Sequence, residues 1–409
     1  MSGVYKLLII FILFVPQIAF TLDAKLVISG DQNINDKWYR TLSANIPKIK
    51  TLNRVVKKQY FQILLLFKEY KTDNEKIVNI KYDLNVEKPN GGKYLEQKGL
   101  EAINQKIDDS DLVQLCNEKL KVCFESEDKP GIYKIHVTVY DLNSNEIVTE
   151  QGQIELIEFE NQRYFEDDES FSDWLTYYYS KPSPEKAIDA YLYYSKSKIN
   201  EHETAFVPIF SFFLEVFNNN NFLIPHLVDL YNAQNLKTRI YIIYLLRYLD
   251  YDSSDFFNTL KGNDKKVYEN ILTERFPLPD DEITNAAHLD LQWGRFFASG
   301  KIKPIRRIIS ALDFYQYRDS AENSKNSKKT EIDLKNAYKG AIFDAALWSL
   351  ESNCKQHPLV GQYCEYILAN DNLTDSVKAW LGLVLSKAYP DKFQMMHQGP
   401  GSWTLKSLE

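Results

Sequence analysis

Pro130-Gly-Ile-Tyr-Lys-Ile-His-Val-Thr-Val-Tyr-Asp141 alternates apolar and polar residues with a period of two. Ile135, Val137 and Val139 fall on one face, the pattern of a half-buried β-strand. Pro130-Gly131 at its start and Asp141-Leu-Asn-Ser-Asn145 at its end supply turn chemistry. The stretch therefore reads as one arm of a hairpin whose return strand or strands cover 147–159. The same period recurs upstream. Residues 60–67 form a strand-like block, 77–86 alternate strictly before Lys88-Pro-Asn-Gly-Gly92, and 120–124 give another short strand. Short strands divided by turns predict an antiparallel β-sandwich before residue 160.

After residue 160 the period becomes helical. Amphipathic or dense apolar segments predict helices over 171–180, 184–197, 205–217, 223–232, 237–250, 255–272, 284–299, 302–312, 334–351, 358–369 and 374–388. Ser183-Pro-Glu185 is a start signal, with Ser as N-cap and Pro in the first helical position. Residues 320–330 are rich in Ser, Asn and Lys and read as a loop. Pro390 opens a tail that Gly399-Pro-Gly401 makes irregular. No exact internal repeat is present. Divergent tandem hairpins and a closed bundle both fit the spacing. The expected fold class is α+β multidomain, an antiparallel β-sandwich followed by an all-α, repeat-like helical domain. Its expected divisions are 1–24, 25–160, 161–390 and 391–409.

The division at residue 24 rests on a leader. Lys6 precedes the apolar run Leu7-Leu-Ile-Ile-Phe-Ile-Leu-Phe-Val15, Pro16-Gln17 ends it, and 19–24 offers small residues for cleavage. About nine apolar residues suit a secretory signal peptide and fall short of the ~20 that span a bilayer. No later stretch approaches that length. The expected location is exported, either periplasmic or secreted. Among 409 residues, 44% are hydrophobic and 26% charged, which excludes wholesale disorder and a polytopic membrane protein. With 49 Lys plus Arg against 56 Asp plus Glu, the net charge of −7 argues against sequence-independent nucleic-acid binding. Four cysteines allow three pairings. Local bridges, Cys116–Cys123 and Cys354–Cys364, would each staple a short segment; the alternative is four small buried hydrophobes. Their spacing does not match a Cys-x-x-Cys zinc or redox site.

Two stretches carry resemblances. Pro130-Gly-Ile-Tyr133, with the β-branched alternation and Asp141 after it, resembles the penultimate strand of immunoglobulin-like and fibronectin-like domains in bacterial exported proteins. The resemblance implies an Ig-like sandwich with Tyr133 placed like a tyrosine corner. It does not extend to antibody domains, because Trp38 is the only Trp before residue 160. Leu289-Asp-Leu-Gln-Trp-Gly-Arg-Phe-Phe-Ala-Ser-Gly300, Ile305-Arg-Arg-Ile-Ile-Ser-Ala-Leu312, Ala345-Ala-Leu-Trp-Ser-Leu-Glu-Ser-Asn353 and His357-Pro358 together resemble a family of uncharacterised bacterial exported proteins. That family joins a short β-domain to a helical domain. The resemblance implies architecture and compartment and brings no site residues.

Candidate chemistry is sparse. His288, Asp290 and Arg295 surround Trp293, and His288 and Arg295, two helical turns apart, share a face. With Glu282 they could bind an anion or act as an acid–base site; the competing reading places them at the edge of an aromatic core. Arg306 and Arg307, beside Lys301 and Lys303, form a basic cluster suited to an acidic partner or to a solvated face. Glu166-Asp-Asp-Glu169 lacks calcium-loop spacing and reads as helix capping. The six His form no His-Glu-x-x-His pair, and neither a Gly-x-Ser-x-Gly elbow nor a phosphate-binding loop occurs. No metal and no cofactor are therefore expected. Tyr177, Tyr178 and Tyr191 lie in Tyr-rich helices and suit protein, peptide or glycan contacts, or else helix packing. The resulting reading is a non-catalytic binding or scaffolding protein of the bacterial envelope. The alternatives are an envelope hydrolase with its site in the helical part, or a secreted effector.

Overall fold

In a computed structural model, which describes residues 21–41, 49–107, 113–117, 120–274, 276–318, 331–399 and 402–408, the chain is α+β. Residues 1–20 of the leader expected over 1–24 and the loop expected at 320–330 lie outside the described residues. The first part holds strands β1 (Asp23–Ser29), β2 (Arg54–Val56), β3 (Phe61–Lys68), β4 (Ile77–Glu87), β5 (Lys93–Lys106), β6 (Gln114–Leu115), β7 (Leu120–Val122), β8 (Gly131–Asp141) and β9 (Glu146–Ile157). One sheet has the order β2-β9-β8-β4-β5; another has β1-β3-β6, with β7 also on β3. Strand β4 pairs antiparallel with β8, from Ile80 opposite Asp141 to Glu87 opposite Lys134. Strand β2 departs from the antiparallel expectation and runs parallel to β9.

The quoted stretch is β8. Tyr133, Ile135, Val137, Val139 and Asp141 are buried at alternate positions. The Asp141 carboxylate closes the turn to β9, accepting from Asn143 N at 2.9 Å, and also accepts from Lys71 N at 2.9 Å. The Tyr133 hydroxyl donates to the Lys129 carbonyl, four residues upstream, at 3.1 Å. Strand β5 has no counterpart in the sequence reading. Its register against β4 shifts three times, so no period of two survives, and within it only Ala102 and Ile103 are buried. Strand β1 begins at Asp23, inside the span assigned to the leader.

The helices are α1 (Ile34–Tyr39), α2 (Asp168–Tyr177), α3 (Ala187–Lys196), α4 (Glu203–Asn219), α5 (Leu223–Leu230), α6 (Leu236–Tyr248), α7 (Ser254–Thr259), α8 (Gly262–Ile271), α9 (Ala286–Ser299), α10 (Ile302–Ser310), α11 (Glu331–Gln356), α12 (Pro358–Asn370) and α13 (Asp375–Ala388). The segment expected as one helix over 255–272 is two. Leu260 and Lys261 are extended and Gly262 takes φ +57°, which a residue with a side chain adopts at a cost. Buried Leu260 keeps the apolar spacing and hides the break. The tail expected to be irregular contains β10 (Phe393–Gly399) and β11 (Ser402–Ser407), paired from Phe393–Ser407 to Gly399–Ser402. Residues 400 and 401, between the two strands, lie outside the described set.

Contacts divide the chain elsewhere than at residue 160. One compact unit comprises Met1–Leu26, Leu64–Lys119 and Lys134–Gly152, and the other Val27–Ile63, Leu120–Tyr133 and Gln153–Glu409. All the helices among the described residues belong to the second. Its core is aromatic, with Phe210, Phe212, Phe213 and Phe217 of α4 fully buried. Helix α9 crosses α4 at Gly294, where a Cβ would lie 2.1 Å from both the Pro208 carbonyl oxygen and Ser211 Oγ. Only glycine fits that approach. Helix α1, too short to show a period, is held by Lys37, whose buried ammonium donates to Asp31 at 2.5 Å and to the Tyr179 carbonyl at 2.7 Å.

Candidate binding groove

The segment after β9 is tied to α3 by one carboxylate. Asp189 accepts from the backbone of Tyr164 at 2.5 Å and of Phe165 at 2.9 Å. Phe165 is buried against Phe171, Trp174 and Tyr193. Asp167 caps α2, its carboxylate accepting from Ser170 N at 2.7 Å, so the acidic run serves the helix terminus. The next residue, Asp168, accepts from the Tyr193 hydroxyl at 2.6 Å. Desolvation first, and then that hydrogen bond, push the Tyr193 hydroxyl up to about 12.

These contacts leave a groove of about 800 Å³ between the 161–165 segment and the end of α3. Arg163, Tyr193, Lys196 and Lys198 line it, together with Asn161 and Gln162. Its two carboxylates, Asp168 and Asp189, are engaged as described. Lys196 donates to Gln234 at 3.1 Å. Arg163 and Lys198 are exposed and belong to no ion pair among the described residues. The groove thus offers positive charge, amide hydrogen bonds and an aromatic face in a chain of net charge −7. It can hold a polar or anionic ligand by charge and hydrogen bonding. Sequence reading missed it because Arg163 is separated from Lys196 and Lys198 by more than thirty residues and a helix.

The expected trio is not gathered. Buried His288 has Nδ1 3.1 Å from Asn285 Oδ1. Arg295 pairs instead with Glu215 of α4 at 3.2 Å, and Lys301 reaches the same carboxylate at 2.6 Å. Burial raises Glu215, but Lys301 and Arg295 outweigh it and hold the carboxyl below its usual range. Asp290 is about 200° around α9 from His288; burial alone raises its carboxyl to about 6. His357 packs against Tyr177, Tyr179 and Phe297, with Nδ1 3.2 Å from the Tyr179 hydroxyl, and burial lowers it to about 4.

The other candidates are largely consumed by packing. Tyr178 is buried against Trp174 and Phe212, and Tyr191 against Phe213, Phe217 and Tyr241; Tyr177 is exposed. Arg306 grips Asp371 with two nitrogens at 2.7 and 2.9 Å, and Arg307 donates to the Asp281 carbonyl. Three of the four cations of the basic cluster are thus paired, Arg306 with Asp371, Lys301 with Glu215 and Lys303 with Asp280, while Arg307 meets a backbone carbonyl. Cysteine pairing also departs from expectation, since no disulfide joins the four described cysteines. Cys354 and Cys364 are buried thiols with Sγ atoms 3.8 Å apart. Cys116 lies in the first unit and Cys123 in the second. Among the described residues no three His, Cys, Asp or Glu converge as metal ligands.

Fold and groove define an α+β protein with a cation-lined groove in its helical part. No family model and no curated protein sequence matches the chain. Among solved structures, a family 123 glycoside hydrolase from Clostridium perfringens, described for glycolipid glycan hydrolysis, is 13% identical over 41% of this chain and 34% of that chain, with a TM-score of 0.23. The chain therefore spans about a third of that hydrolase's length. Native alpha-2-macroglobulin from Escherichia coli, from domain MG7 to the C-terminus, is 8% identical over 95% of this chain and 70% of that chain, with a TM-score of 0.21. Similarity this low bears on neither fold nor activity.

Proposed function

We propose that this chain is an exported binding or scaffolding protein of the bacterial envelope, and that the groove beside α3 receives an anionic or polar segment of a peptide or glycan partner. The observation that carries the reading is the unpaired Arg163 and Lys198 over a groove whose carboxylates are already engaged. The leader pattern before Leu22 supports export. Among the described residues no helix is long and apolar enough to cross a membrane. The Tyr133–Lys129 hydrogen bond supports the Ig-like reading of the β-strands. The separation of His288, Asp290 and Arg295 weighs against a hydrolase built on that trio.

The test is capture from envelope extract by the immobilised protein and by the Arg163→Glu/Lys198→Glu variant, in low and high salt. The wild type should retain a partner that both the double substitution and salt release. Retention unchanged by either treatment overturns the groove assignment.

A further inference from the structure

Helix α11 is apolar on two opposite faces. Phe343, Ala346, Leu350 and Cys354 turn inward and are buried. On the other side Leu334, Tyr338, Ala341, Ala345 and Trp348 follow one another at steps of four, three, four and three residues. This is the 3.5-residue spacing of a coiled-coil seam. The seam is open at Leu334, Tyr338, Ala341 and Trp348, with Leu334, Tyr338 and Trp348 respectively 40%, 61% and 72% exposed, while Ala345 is half-buried and also touches the core beneath it. The same steps carry it out to Glu331 at one end and to Lys355 at the other. Its length is about 36 Å at ~1.5 Å per residue.

We propose that this seam is a homodimer interface, in which α11 pairs antiparallel with α11 of a second copy about a two-fold axis level with Phe343. In that register Tyr338 of one copy meets Trp348 of the other, twice. Ala341 meets Ala345 between them, and these small side chains let the helix axes approach. The charges at the ends select this arrangement. Glu331 faces Lys355 of the second copy at both ends, whereas a parallel pair would set Glu331 on Glu331 and Lys355 on Lys355. Lys355 also contacts Glu351 of its own helix at 2.7 Å, an exposed pair that leaves it able to reach across. Asp344 flanks the axis and would approach its own copy, but Arg318 holds it at 3.1 Å and offsets its charge. The contact is self-complementary and closes at two copies. It lies apart from the groove and does not depend on it.

Sedimentation equilibrium across the micromolar range tests the proposal. The mass should rise from the monomer value toward twice that value with concentration. Trp348→Glu should move the midpoint at least about tenfold higher, as expected for removal of a central aromatic anchor. Tyr338→Glu should act in the same direction. A mass that stays at the monomer value throughout overturns the proposal, as does a dimer indifferent to both substitutions. Orientation is read with a short thiol cross-linker, using wild type as the control for the native cysteines. A mixture of Leu334→Cys and Ser352→Cys should cross-link between chains, and Leu334→Cys alone should not. The reverse pattern overturns the antiparallel register.

Discussion

Helices α9 and α11 have similar apolar content but opposite situations. Nearly every side of α9 is enclosed: Leu289, Leu291, Trp293 and Phe296 are buried, and Gly294 meets the backbone of α4. Helix α11 buries one side and leaves Tyr338 and Trp348 in solvent. On the enclosed helix, polar residues became structural. Arg295 neutralises a buried carboxylate and His288 holds to Asn285. The open helix and the groove beside α3 retain groups able to meet something else. A cluster of chemically capable residues in sequence is therefore a poor guide to function when its helix is surrounded.

The strongest challenge to this contrast is the same kind of substitution on both helices. Gly294→Val drives two methyl groups into the Pro208 carbonyl and should cost about 3 kcal/mol or more in urea denaturation. Ala341→Val on the open face should stay within about 0.5 kcal/mol at concentrations where the chain is monomeric. Equal losses would erase the distinction between the two helices.

Smaller effects separate two carboxylates near α9. Glu215→Gln leaves Arg295 and Lys301 without a counter-charge and should cost about 3 kcal/mol at pH 7. The native Glu215 carboxyl lies below its usual range, so its contribution is present above the unfolded value and fades as pH falls through the folded one. The gap between wild type and variant should close in acid. Asp290 has the opposite sign. Its folded value of about 6 exceeds the unfolded one, so ionising it at neutral pH weakens the fold. Asp290→Asn should stabilise by about 1–2 kcal/mol at pH 7, discounted for partial exposure, with the gain gone below about pH 4. Parallel stability–pH curves for the two variants would refute this assignment of their environments.

Much of the secondary structure was legible because one face of each element is buried. The period of two in 77–86 and 131–141 becomes β4 and β8. Asp167 caps α2, and Pro358 opens α12 after His357. Strand β5 escaped because bulges and polar residues break its alternation. The split between α7 and α8 escaped because a buried Leu260 preserves the helical spacing across it. Two of the tyrosines singled out for binding are buried for a related reason. Tyr178 and Tyr191 carry the composition of a contact surface, but a tyrosine ring buries as readily as it binds.

By itself the sequence determined the two periods, the turn chemistry, the caps and the net charge, because these depend on neighbours within a few residues. The tertiary structure alone decided which polar groups remain available. Arg295 is drawn to Glu215, eighty residues away, and Arg306 to Asp371, sixty-five away, while Arg163 and Lys198 stay exposed beside a groove built by remote contacts. Charge pairing acts through space, and the chain order of these residues does not encode which cation finds a partner.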